Sequence, residues 1–135
     1  MSDKVIGMIG LLLFAATAAV AARSPEAPNE TVVLTVVARY VSAYDSLDVN
    51  AVKAVWPSVD AKALGRAFAG LESQSFHFDE CRIVPDTSSA KAYCAGTAVF
   101  VPKVGNRHEH FEFREWTFEI EKTGEEWTIA RVDVH

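Results

Sequence analysis

The chain has 135 residues, of which 50% are hydrophobic and 23% charged; thirteen Lys and Arg against eighteen Asp and Glu give a formal net charge of −5. That length fits one domain behind a targeting segment, and five Pro, seven Gly and no low-complexity tract argue against a disordered or fibrous chain. The acidic balance, without any Lys/Arg cluster, argues against nucleic acid as a partner.

Residues 1–22 read as a signal peptide or N-terminal anchor. Val5 to Ala22 carries no charge, and only Thr17 is polar. A strongly apolar part, Val5 to Phe14, is followed by small residues that offer Ala19-Val20-Ala21 as an export cleavage pattern. The stretch also approaches the length of a spanning helix, so cleavage and retention both stay open. Either way the remainder is expected outside the cytoplasm, periplasmic or extracellular, or anchored to the membrane by residues 5–22 alone. Residues 23–29 form a short linker, and 30–135 form the domain.

Three helices come next. Asn29 can cap the first, from Glu30 to about Ser46, with Val33, Val37, Tyr40, Val41 and Tyr44 on one apolar stripe. Asp48 caps a shorter second helix with Val52, Val55 and Trp56, which Pro57 stops. Asp60 caps a third with Leu64, Ala67 and Phe68, ended by Gly70. Beyond Gly70 the apolar period falls from 3.6 to 2. Strands are expected at about Ser75–Val84, Ala90–Val101, Glu109–Glu121 and Glu126–Val134. Helices first and an antiparallel sheet after define an α+β order.

Two hairpins can be carried to residue pairs. With Thr123-Gly124 as the turn, Ile120 opposes Trp127, Phe118 opposes Ile129, Trp116 opposes Arg131 and Arg114 opposes Asp133. One face then holds Trp116, Phe118, Ile120, Trp127 and Ile129 and must be covered. The other holds Glu115, Thr117, Glu119 and Glu121 with Ala130 and Val132, and could be wet or form a homodimer contact. In the earlier hairpin, a Thr87-Ser88 turn makes Pro85–Ala90, Ile83–Ala92 and Cys81–Cys94 non-hydrogen-bonded pairs, as Pro85 requires. Opposing Cα atoms there lie about 4.5 Å apart, so Cys81 and Cys94 are placed for a structural disulfide or remain two buried thiols.

The stretch Arg39-Tyr40-Val41-Ser42-Ala43-Tyr44-Asp45-Ser46-Leu47-Asp48-Val49 resembles the first helix and turn of the nuclear transport factor 2-like superfamily. That superfamily includes SnoaL-like cyclases, ketosteroid isomerase and scytalone dehydratase. The continuation Ala51 to Pro57, then Asp60, Leu64, Ala67 and Phe68, is similar to a bacterial exported branch of it, of open function. The resemblance implies N-terminal helices packed on a strongly curved antiparallel sheet, with a conical pocket between them.

Within such a pocket Tyr40 sits where ketosteroid isomerase has an oxyanion-hole tyrosine. The carboxylate base that chemistry needs after the second helix is missing, since Asp60 in Trp56-Pro57-Ser58-Val59-Asp60 serves as a cap. Tyr40, Tyr44, Trp56, Phe68, Trp116 and Phe118 are the expected lining. Arg114, Trp116, Arg131 and Asp133 would cluster where the apolar face meets water, paired as a salt bridge and a cation–π contact, or with Arg114 or Arg131 holding an acidic ligand. His77 and Asp79 share a strand face, as a base and its orienting carboxylate would, or as surface residues. His108-Glu109-His110 places two imidazoles on one face but lacks further ligands, so no metal and no cofactor is expected.

Two readings follow. The first is an exported, non-catalytic domain binding a small apolar or weakly acidic molecule, or a protein partner. The second is a cofactor-free lyase, isomerase or cyclase acting on an apolar carbonyl compound, with Tyr40 as donor and Asp133 or Asp45 as base.

Overall fold

The computed structural model describes residues 27–135. The leader expectation for residues 1–22, and most of the linker, lie outside the described residues. Helix α1 (Glu30–Asp45) begins at Asn29, whose side chain accepts the Val32 amide at 2.9 Å. Helix α2 (Val49–Val55) begins at Asp48, which accepts the Ala51 amide at 3.1 Å. Helix α3 (Ala61–Ala69) begins at Asp60, which accepts the Ala63 amide at 3.0 Å. Each cap satisfies one orphan N–H of a first turn, so three of the chain's acidic or amide side chains are used structurally.

The strands β1 (Leu71–Pro85), β2 (Ser89–Pro102), β3 (His110–Thr123) and β4 (Glu126–Val134) form one antiparallel sheet in the order β1-β2-β3-β4. The sheet is curled but not closed, and α1 lies on its concave side. The main core joins Val33, Val36, Val37 and Tyr40 of α1 to Phe76, Trp116, Phe118, Ile120 and Ile129 of the strands. A second cluster around Ala43, Val52, Leu64 and Phe68 fastens α2 and α3 to the end of α1. The expected α+β architecture, with helices on a curved sheet, is therefore the observed one.

The first hairpin has the expected register. Pro85 faces Ala90, Ile83 faces Ala92, and Cys81 faces Cys94 with the disulfide formed across a Cα separation of 4.0 Å. Further along β1 a register shift between Phe78 and Glu80 leaves Asp79 as the extra residue, the local kink by which a strand bends.

The second hairpin differs from the expectation. Its turn is Gly124-Glu125, flanked by a Thr123–Glu126 pair, with Gly124 leading at φ +66°. That is the position at which a primed turn needs a residue free to adopt positive φ. Ile120 consequently faces Ile129, not Trp127. A bulge between Glu119 and Ile120 then shifts the register again, so that Phe118 faces Val132 and Trp116 faces Val134. The extra residue is Ala130, whose carbonyl accepts a hydrogen bond from Ser58 at 3.3 Å. One added residue in a period-2 strand moves every following side chain to the other face. Val132 thereby joins the concave side, while Arg131 and Asp133 move to the convex one.

Candidate functional site

The concave face is the place where this architecture could hold a ligand, and aromatic side chains fill it. Tyr40, near the middle of α1, is 2% exposed. Its ring lies 4.3 Å from Tyr44, 6.4 Å from Trp56 and 6.2 Å from Phe76, and meets Phe118 edge-on at 4.9 Å. Tyr44 in turn meets Phe68 edge-on at 5.3 Å. The six aromatic residues expected from the sequence do come together. Trp116 and Phe118, however, are 1% and 0% exposed, so they pack as core. Two members were not foreseen: Phe76 and Phe78 of β1 press on Trp116 at 5.1 and 4.7 Å. Their period-2 spacing was the signal available.

The electrostatics of the cone are those of a closed interior. Burial, reinforced by the adjoining Tyr44, pushes the Tyr40 hydroxyl well above the usual tyrosine range. Hydrogen bonding with Trp116 and the charge of Arg114 act in the opposite sense without cancelling it. Among the described residues, no carboxylate bears on this hydroxyl. Neutral Tyr40 makes stability depend on alkali. Unfolding returns the phenol to water, where it ionises near pH ~10. Its contribution is therefore full below that pH and is lost as pH rises beyond it. Wild type is expected to lose melting temperature more steeply than Tyr40→Phe above about pH 10; parallel curves would mean that the hydroxyl already meets solvent.

The polar candidates disperse. Arg114 stays on the concave face, paired with Glu112 at 2.6 Å and lying 5.9 Å above the Phe100 ring. It does not face Asp133. Arg131 and Asp133 bind each other at 3.1 Å on the convex face, so the expected four-residue cluster with Arg114 and Trp116 is not formed. The bulge at Ala130 is the physical reason. His77 is bonded to Ser75 through Nε2 at 3.1 Å, while Asp79 occupies the β1 register shift. His110 stacks on Phe100 at 5.2 Å and contacts the Asn106 carbonyl at 2.9 Å. Among the described residues no group of three or more His, Cys, Asp or Glu side chains could hold a metal.

Of the candidates named from the sequence, Asp45 stands next to unfilled space. Five residues beyond Tyr40, it points about 140° away from it around the helix. Its carboxylate accepts the Phe76 amide at 3.0 Å. Burial raises its pKa, which the Phe76 amide and His77 partly offset. It sits at one end of a groove of about 540 Å³ between α1 and β1, the edge strand. On the convex face, Phe111 and Phe113 are 66% and 67% exposed, facing Val99 and Thr97 of β2.

Helices packed into a curled four-stranded antiparallel sheet define a cone-shaped α+β class, and solved structures share it. A protein named a candidate dehydratase of the NTF2-like family from Streptomyces avermitilis superposes with a TM-score of 0.68 at 11% identity, over 77% of this chain and 93% of its own. An NTF2-like superfamily protein from Salmonella enterica serovar Typhimurium gives 0.68 at 13% identity, over 75% and 85%. A hexachlorocyclohexane dehydrochlorinase from Novosphingobium barchaimii gives 0.66 at 9% identity, over 89% of each chain. The chain thus has the nuclear transport factor 2-like fold. No protein-family model matches the sequence, and no curated protein sequence matches it.

Proposed function

We propose that this chain is an exported, non-catalytic binding module that uses the nuclear transport factor 2-like fold as a rigid scaffold. The observation that carries the reading is the state of Tyr40: buried, held neutral, and without a carboxylate to work with. General acid–base chemistry on a carbonyl compound needs a donor and a base on either side of one substrate atom. Here Asp45 lies on another side of α1 and Asp133 on the convex face of the sheet. The Cys81–Cys94 bridge supports export, since such bridges persist in oxidising compartments. Among the described residues no helix is long and apolar enough to cross a membrane. The homodimer contact expected through the polar sheet face of Glu115, Thr117, Glu119 and Glu121 would lie on the convex side, where Phe111 and Phe113 are also exposed.

The alternative, a cofactor-free lyase, isomerase or cyclase, draws on structural neighbours named as a candidate dehydratase and a dehydrochlorinase. Proton abstraction separates the two readings. The chain is incubated with a panel of apolar cyclic ketones in heavy water, and loss of their α-protons is followed by NMR. The module reading expects the buffer rate. Exchange above that rate, abolished by Tyr40→Phe, would establish the enzyme.

A further inference from the structure

Asp45 is an anion where the helix already favours a cation. It occupies the last turn of α1, where the negative end of the helix dipole lies, and that turn contains no basic residue. Positive charge stabilises such a position, whereas Asp45 adds negative charge to it. Among the described residues no Lys or Arg forms an ion pair with it. Among the described residues, His77 is the one ionisable side chain that bears on its carboxyl, and that ring is engaged with Ser75.

Beside this charge runs the α1–β1 groove, whose volume falls in the small-molecule range. Leu34, Val37 and Val41 form one wall, and Phe76 and Phe78 the other, with their rings 6.5 Å apart and within 12° of parallel. Leu34 is 41% exposed, so the wall is open to an incoming molecule. Among the described residues, Asp45 is the only charged one in the lining.

We propose that this groove binds an apolar amine, a protonated alkyl- or arylammonium ion with its tail along Val37, Val41 and the two phenyl rings and its head on Asp45. A neutral apolar ligand would cover the carboxylate without compensating its lost hydration, and an anionic one would add repulsion. An ammonium group supplies the missing countercharge and a charge-assisted hydrogen bond, and the faces of Phe76 and Phe78 favour a cation nearby. The net charge of −5 draws cations toward the molecule as a whole. The proposal names the ligand class for the binding-module reading and rests on that reading.

The test uses the full chain and three probes of one shape: 4-phenylbutylamine, 4-phenylbutan-1-ol and 4-phenylbutanoate, titrated calorimetrically near neutral pH. The amine is expected to bind most tightly and the alcohol about tenfold more weakly, with no measurable binding of the carboxylate. Asp45→Asn keeps an acceptor for the Phe76 amide and should bring the amine down to the affinity of the alcohol. Ala38→Trp, on the exposed lip of the groove, should block both. Equal binding of all three probes, or no binding of the amine, overturns the proposal. Amine binding untouched by Asp45→Asn overturns the site and leaves the module reading standing; α-proton exchange would remove the module reading by itself.

Discussion

Gly96→Ala is expected to be among the most damaging single substitutions in the chain. Gly96 is buried on β2 and faces Phe78, next to the register shift where β1 bends over the concave side. A Cβ placed there would stand 2.7 Å from the Phe78 Cα and 2.9 Å from the His77 carbonyl carbon, with the His77 oxygen closer still. These are backbone atoms of a paired strand, so they cannot swing aside as a flexible side chain would. Overpacking of a core typically costs about 1–3 kcal/mol, and a clash with backbone belongs at or above the upper end. The melting temperature should fall by on the order of 10–20 °C. Gly65→Ala is the control. Gly65 lies inside α3 with nothing near its missing Cβ, and the change should stabilise by roughly 0.5–1 kcal/mol. Thermal melts of the two variants check both signs, and a tolerated Gly96→Ala would mean that β1 does not lie against β2 as described.

Trp116→Ala is expected to cost about 3–5 kcal/mol, because the indole is a fully enclosed core group. It is 1% exposed and wedged against Phe76 and Phe78. Removing it would open a cavity beneath both rings. Urea unfolding reads the loss directly as a shift in midpoint. A tryptophan lining a wet pocket would already be partly solvated, and its truncation would cost about 1 kcal/mol or less. The magnitude therefore separates a filled cone from an open one.

What could be read from the sequence was mostly local. Asn29, Asp48 and Asp60 announce their helices because a cap bonds within three residues of itself. The Cys81–Cys94 pairing was legible because Pro85 lacks an N–H and so selects one register of its hairpin. The β3–β4 hairpin was misread for two reasons. Gly124 leads its turn instead of closing it, and Ala130 inserts a bulge that no local propensity announces. Such bulges answer the curvature of the whole sheet, which depends on α1 filling its hollow. This non-local effect carried Arg131 and Asp133 to the convex side and dissolved the most promising polar cluster. The aromatic residues do meet one another, yet sequence pattern cannot tell a lined pocket from a packed core. That distinction rests on a few ångströms of closure by Phe76 and Phe78. The groove beside Asp45 was invisible for the same reason, since it depends on how far the edge strand stands from the helix.

Trp116 and Phe118 are enclosed in the interior of the cone, and hydrogen exchange at the Trp116 indole N–H reads whether water reaches them. The three indole signals can be assigned by single Trp→Phe variants and followed by NMR after transfer to heavy water. Trp116 should exchange only through global unfolding, with protection matching the denaturant-derived stability, while the half-buried Trp56 and Trp127 exchange faster. Exchange at Trp116 as fast as at those two would mean that water reaches Tyr40 in the native state and that the cone is open.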